Sequence, residues 1–388
     1  MKPWPTVPLA DVATCLDSQR IPVKEDDRQK RVGSVPYYGA NGQVGWIDVA
    51  LFNEPLLLIA EDGGHFDEPE RGVAYTIRGP AWVNNHAHVL RPDEQKVLLD
   101  FLGYHFRQFD FLPYITGTTR AKLTQADLMR VEVPVPPLAE QERIVKLLDE
   151  ADELRKLRAQ ADRRTAALLP ALFHEMFGDP AKNPKSWPMK RVEEIAVNGK
   201  RGVTTGPFGT QLGSKDFTRE GPEVFGIYSL RDANRFRSGG TKRISPQKFS
   251  ELARFNVLPD DVLVSRMGTV GKVCVVPNNS PQGIVSYHLI RVRLDREQCD
   301  PQFFAQLLSV TEAGGVGISQ SAKGAIMSGI NAAIVASYRV PVPPLPLQQE
   351  FAQRVIEIRA LEAGQATSRH RLEALFQSLL HRAFQGEL

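Results

Sequence analysis

The chain has 388 residues, of which 42% are hydrophobic and 24% charged, with 48 Lys and Arg against 45 Asp and Glu. That length suffices for two or three domains that each bury a core, and the composition excludes wholesale disorder. A net charge of +3 is too small for indiscriminate coating of nucleic acid, so any polyanionic partner must be held by local clusters.

Cys15, Cys274 and Cys299 lie far apart in no paired spacing, which points away from a disulfide framework and from a thiolate zinc site. The segment Met1-Lys2-Pro3-Trp4-Pro5 has no apolar core, and no run of about 18 apolar residues occurs. The expectation is a cytoplasmic protein without export signal or membrane span.

In chain order, residues 1–130 read as a mixed α/β domain. Turn signals at Gly33-Ser34, Asn41-Gly42, Gly63-Gly64 and Gly79-Pro80 punctuate apolar runs such as Leu56–Ala60. Between 94 and 112, Val97, Leu98, Phe101, Leu102, His105 and Phe109 fall at helical steps. The run Val133-Pro134-Val135-Pro136-Pro137-Leu138 then ends the domain, because proline cannot continue a helix and holds the preceding residue extended. A helix is predicted to begin there, with Pro137 at its first position, Glu140 and Glu142 near the positive end of its dipole, and Pro170 interrupting it.

The same stretch recurs. Val340-Pro341-Val342-Pro343-Pro344-Leu345 opens a second copy that aligns without a gap, placing Gln141 on Gln348, Leu154 on Leu361 and Phe177 on Phe384. Apolar steps near 3.5 residues mark a coiled-coil seam in each copy, through Ile144, Leu148, Leu154 and Leu168 and through Phe351, Val355, Leu361 and Leu375. The cheapest cover for one seam is the other, so charged substitutions at Leu154 or Leu361 are expected to separate the helices. Gly364 weakens the second helix locally, by about 1 kcal/mol relative to alanine.

The globular part repeats as well. Trp187, Pro188, Val192, Glu194, Ile195 and Ala196 follow the spacing of Trp4, Pro5, Leu9, Asp11, Val12 and Ala13. Strands are predicted at Val262–Ser265 and Val273–Val276 and a helix at Pro301–Val310. The expected class is α+β: two mixed α/β domains at 1–132 and 181–339, separated by helical spacers at 133–180 and 340–388 that pair as an intramolecular antiparallel coiled coil.

Together these features resemble the specificity subunit of type I restriction-modification systems. The resemblance lies in Pro-Pro-Leu-x-x-Gln at 136–141 and 343–348. It extends to Pro36–Gly42, Ile59–Gly64 and Gly117–Leu123 in the first domain, and to Gly206–Leu212 and Asp261–Gly268 in the second; Ser321-Ala322-Lys323-Gly324 is a poorer match to the family segment before the spacer. It implies a non-catalytic chain that reads an asymmetric bipartite sequence in double-stranded DNA through two target-recognition domains. It also implies two DNA methyltransferase subunits as partners, restriction subunits in the full complex, and S-adenosylmethionine bound by the methyltransferase, with no cofactor in this chain.

The residues themselves agree. Asp179-Pro180, Asn183-Pro184 and Asp300-Pro301 do not continue into the Pro-Pro-aromatic motif of an adenine methyltransferase, and Gly268–Lys272 lacks the first glycine and the Ser or Thr of a phosphate loop. No catalytic residue is assigned. His86 and His88, with His65 more distant, suit a half-buried polar pair better than a metal site; His174 and His381 suit packing or capping near helix ends.

For DNA contact, Arg231, Asn234, Arg235, Arg237, Lys242 and Arg243 combine cations with an amide able to pair with adenine, and Phe236 suits a thymine methyl group. In the first domain Tyr37, Tyr38 and Asn41 are candidates near bases, and Arg120 and Lys122 on phosphates; Tyr37 and Tyr38 equally fit the core. A helix from Leu138 to Leu169 would be about 48 Å long, comparable to roughly 14 base pairs of B-DNA. The competing classes are a self-sufficient DNA-modifying or DNA-cleaving enzyme and a coiled-coil adaptor that does not bind DNA.

Overall fold

The computed structural model describes residues 4–68, 71–117, 121–231, 234–267, 270–313, 317–318 and 329–388. The fold is α+β. It divides into two compact units, Met1–Ala159 with Thr367–Leu388, and Gln160–Ala366, and the division falls within both long helices.

In the first unit, a four-stranded sheet has the order 13–15, 87–92, 56–60, 74–77, all antiparallel. Leu56–Ala60 is buried along its whole length, as a continuous apolar run in a central strand requires. A second sheet runs 42–47, 35–39, 80–83, 52–53, and its central pair is parallel. The helix Leu99–Arg107 closes one face of the core with Phe101, Leu102 and Phe106.

The second unit repeats this plan. Strands 203–205, 289–292, 262–265 and 273–275 form an antiparallel sheet in the same order, and 217–225 pairs in parallel with 283–285. The helix Pro301–Ala313 stands where Leu99–Arg107 stands in the first.

Each unit closes on itself in the same way. Thr6–Pro8 pairs with Glu132–Pro134, and Met189–Arg191 with Arg339–Pro341, so the start of each globular part is zipped to the strand before its proline run. The long helices then begin at Leu138 and Leu345. Pro137 and Pro344 cap them, their carbonyls accepting from Gln141 N at 3.1 Å and Gln348 N at 3.3 Å; Pro137 thus stands one position before the predicted one.

Three residues into each helix a glutamine is wholly buried. Gln141 Oε1 accepts from Leu98 N at 2.8 Å, and its Nε2 donates to Lys96 O at 2.9 Å and Pro136 O at 2.8 Å. Gln348 accepts from Asp300 N at 2.9 Å and donates to Gln298 O at 3.3 Å and Pro343 O at 2.7 Å. One amide side chain therefore ties the proline run, the helix start and the approach to the domain helix together. Indole groups add a second tie: Trp4 donates to Ala383 O at 3.0 Å and Trp187 to Phe177 O at 3.1 Å.

The helices pair in opposite directions within each unit. In the first, Ile144, Leu148 and Ala151 share a core with Phe376, Leu380 and Ala383, and Arg155 pairs with Glu373 at 2.8 Å while lying 4.2 Å from the centre of the Phe376 ring. In the second, Leu169, Phe173 and Phe177 meet Phe351 and Val355, and Gln365 donates to Thr165 Oγ1 at 2.8 Å. The first helix breaks at Ala167, between Leu138–Ala166 and Leu168–Phe177, just ahead of Pro170, which has no N–H to return to that turn. The second runs unbroken from Leu345 to Gln385 through Gly364.

The predicted seam holds where each long helix begins and fails at four of its leucines further along. Ile144, Leu148, Phe351 and Val355 are buried, whereas Leu154, Leu168, Leu361 and Leu375 are 43–50% exposed. The less exposed line passes one residue later, through buried Leu169 and Phe376 and half-buried Arg155 and Glu362, following the 3.6-residue period of an α-helix.

Three outcomes follow for stability. Leu154→Lys and Leu361→Lys shift the unfolding free energy by no more than about 0.5 kcal/mol, while Phe376→Ala costs about 3–5 kcal/mol, both read by chemical denaturation. Gln141→Leu or Gln348→Leu orphans a buried N–H and buried carbonyls and costs about 1–3 kcal/mol. Burial pushes the His105 imidazole down to about 4, so between that value and about 6.5 the unfolded chain binds the extra proton. Stability is then lost as pH falls from 7 to 5, by about 1–2 kcal/mol at this residue, and His105→Phe flattens that part of the slope.

Candidate nucleic-acid interface

Every contact below lies within a single unit. In the first, Tyr37 is 4% exposed and packs with Ile47 and Trp82, so it is a core residue and not a base contact. The strand alternates, which puts Tyr38 on the opposite face, half-buried beside Tyr75 with ring centroids 6.0 Å apart. Tyr38 and Asn41 line a cavity of about 690 Å³ with Arg71, Arg107 and Arg155. Asn41 donates to Gly63 O at 3.0 Å, joining the loops of two sequence motifs.

Lys122 is exposed but paired, 2.9 Å from Glu61 Oε1, and Glu61 also receives Arg20 at 2.8 Å. Burial pushes the Glu61 carboxyl up, but Lys122, Arg20 and His88 together hold it below the usual range. Arg120 lies outside the described residues.

His86 and His88 part company. His86 Nδ1 lies 2.6 Å from Asp62 Oδ1, partly exposed, whereas His88 is 1% exposed, with Nδ1 on Asp17 and Nε2 2.9 Å from Leu123 O. Cys15, Asp17 and His88 bring three ligand-type atoms within 4.8 Å of one another, a grouping of residues too distant in the chain for spacing to reveal. They are spent on protein contacts: Asp17 receives Val89 N at 2.9 Å and Arg20 at 3.1 Å, and burial pushes the Cys15 thiol up to about 12, keeping it protonated. The arrangement is a hydrogen-bonded brace that reaches the strand Lys122–Leu123, which pairs with Ile115–Thr116.

In the second unit, Asn234 is 9% exposed and cannot reach a base. Its φ of 58° places it in a tight left-handed turn that asparagine tolerates, and its side chain is held by Gln306 at 3.3 Å and Ser309 at 2.6 Å. Arg235 is drawn to Glu362 of the second long helix at 2.5 Å, fastening the loop. Phe236 packs edge-on against Phe225, centroids 5.2 Å apart, and is not presented to a thymine methyl. Arg231 and Arg237 are exposed, Arg243 donates to Gly221 O at 3.1 Å, and Lys242 stands exposed over the Phe217 ring at 5.3 Å. His174 and His381 are exposed near helix ends, and the segment 321–324 lies outside the described residues.

Among the described residues, no helix is long and apolar enough to cross a membrane. A family model described as the type I restriction modification DNA specificity domain matches residues 1–162 and 225–365. A putative type I restriction enzyme specificity subunit of Haemophilus influenzae is 38% identical over 142 residues, which is 37% of this chain and 36% of that protein. The chain thus aligns with little more than a third of that relative's length. A putative type I restriction enzyme MjaX specificity subunit of Methanocaldococcus jannaschii is 23% identical over 317 residues, covering 77% of this chain and 70% of that one. In fold, the chain is similar to the crystal structure of a type I restriction-modification S subunit from M. genitalium, with a TM-score of 0.63, 16% identity and 99% of each chain covered. With well over half of its length matched by that model, the chain belongs to the family of type I restriction-modification specificity subunits.

Proposed function

We propose that this chain selects the DNA sequence on which a type I restriction-modification complex acts, and does no chemistry itself. The recognition domains are 1–132 and 181–339, and the segments 133–180 and 340–388 carry them. The target is an asymmetric bipartite sequence in double-stranded DNA, one half read by each domain and separated by base pairs that are spanned without being read. Two methyltransferase subunits, which bind S-adenosylmethionine, and restriction subunits in the full complex are the partners.

One observation carries this reading: the two units share their attachment chemistry and differ in what they expose. The buried glutamine, the indole tie and the strand that zips each globular part are duplicated. The loops are not: Arg231, Arg237 and Lys242 of one unit are exposed, whereas in the other Lys122 and Arg20 are both paired with Glu61. Equal scaffolds with unequal faces suit two unequal half-sites.

The test is reconstitution with the neighbouring methyltransferase subunit. The assembled complex transfers methyl groups to adenine and binds duplex with an affinity that falls steeply with salt; the chain alone with S-adenosylmethionine transfers none. Arg237→Ala weakens binding through one half-site only. Methyl transfer or cleavage by the isolated chain would establish a self-sufficient enzyme, and salt-independent assembly without DNA affinity would establish an adaptor.

A further inference from the structure

The second unit carries an exposed group of rings that the described residues leave uncovered. Gly206 brings the chain against strand 283–285 so closely that a Cβ there would sit 2.2 Å from Val285 O, which fixes the path of the residues after it. Phe208 is thereby left 48% exposed next to Tyr287, itself 43% exposed, with ring centroids 6.2 Å apart. Tyr287 in turn lies against His288 at 3.8 Å. Three rings stand side by side where burial would ordinarily remove them from water.

Arg266 frames this surface and is held in place. Its backbone N donates to His288 O at 2.9 Å, its Nε to Ile330 O at 3.0 Å and one Nη to Tyr287 O at 3.3 Å, while the guanidinium lies 5.0 Å from the centre of the Phe208 ring. Lys242, just before the strand Arg243–Ile244, adds a second cation. Burial, and then the charges of Lys242 and Arg266, push the His288 imidazole down, so it stays neutral at neutral pH. Its Nδ1 is buried without a hydrogen-bond partner among the described residues.

We infer that this cluster, and not the Asn234 turn, is the DNA-reading surface of the second recognition domain: Arg266 addresses base edges, Phe208 and Tyr287 pack on thymine methyl groups or sugars, and Lys242 holds a phosphate. The inference rests on the DNA-specificity reading above. The occupant is a polyanion with flat apolar faces, because Arg266 lies against the Phe208 ring and both it and the exposed Lys242 act on His288 as positive charges. A guanidinium fixed by backbone carbonyls and an aromatic ring is preorganised, which favours geometric readout over loose attraction.

The experiment selects duplexes from a randomised pool with the complete methyltransferase complex, using wild type, Arg266→Ala, Tyr287→Ala and Lys242→Ala. Wild type recovers a split motif. Arg266→Ala loses roughly 10- to 100-fold discrimination at one or two positions of one half-site and leaves the other half intact. Tyr287→Ala, which removes an exposed ring without disturbing the core, relaxes the same half. Lys242→Ala weakens binding to all sequences and lowers the salt slope by about one. If wild type recovers a split motif and both Arg266→Ala and Tyr287→Ala retain it unchanged, this surface is not the reader, and the function stands without it. If wild type recovers no split motif from a verified complex, the specificity reading fails and the inference falls with it.

Discussion

A buried glutamine amide at the start of each long helix is the contact on which this architecture depends. A primary amide offers one acceptor and two donors, and Gln141 and Gln348 spend them on the backbone around the helix start and the approach to the domain helix. Both are wholly buried, so no water can replace the bonds they make. The prolines before them cannot donate and cannot continue a helix, which leaves carbonyls that only such a side chain can reach. The Pro-Pro-Leu-x-x-Gln pattern is therefore a mechanical joint: it stops a strand, starts a helix and locks the angle between them.

That joint explains why divergence is confined to the faces. Each unit repeats the zipped terminal strands, the indole tie and the apolar meeting of both long helices, although the phenylalanines doing the packing differ: Phe376 with Tyr104 in one, Phe173 and Phe177 with Phe303 and Phe351 in the other. With the attachment held constant, loops are free to change. The first unit spends Lys122, Arg20 and Glu61 on one another; the second leaves Phe208 and Tyr287 exposed beside a half-buried Arg266.

Repetition made the scaffold legible. The duplicated proline runs, the Trp and Gln positions and the central strand Leu56–Ala60 can all be read from residue order, because local chemistry dictates them. The seam was legible only where apolar residues leave no choice, at Ile144, Leu148, Phe351 and Val355. Leucines at 154 and 361 mimic a 3.5-residue period, while the line that is less exposed accepts Arg155 and Glu362. The site was harder still. Asn234 has the chemistry of an adenine reader, but a left-handed turn and two helix side chains consume it. Arg266 stands in a recognised motif, yet only the fold brings it to Phe208 and His288. Donors and acceptors are visible in a sequence; which of them the fold has already used is not.

The most direct measurement is a genome-wide map of methylated adenines in a methylation-free bacterial host expressing this chain with its neighbouring methyltransferase. Two different recognition domains on one chain, as proposed, predict a single motif made of two unequal specified parts around an unspecified gap. A continuous or palindromic motif, or none at all from a complex shown to assemble, would contradict the account.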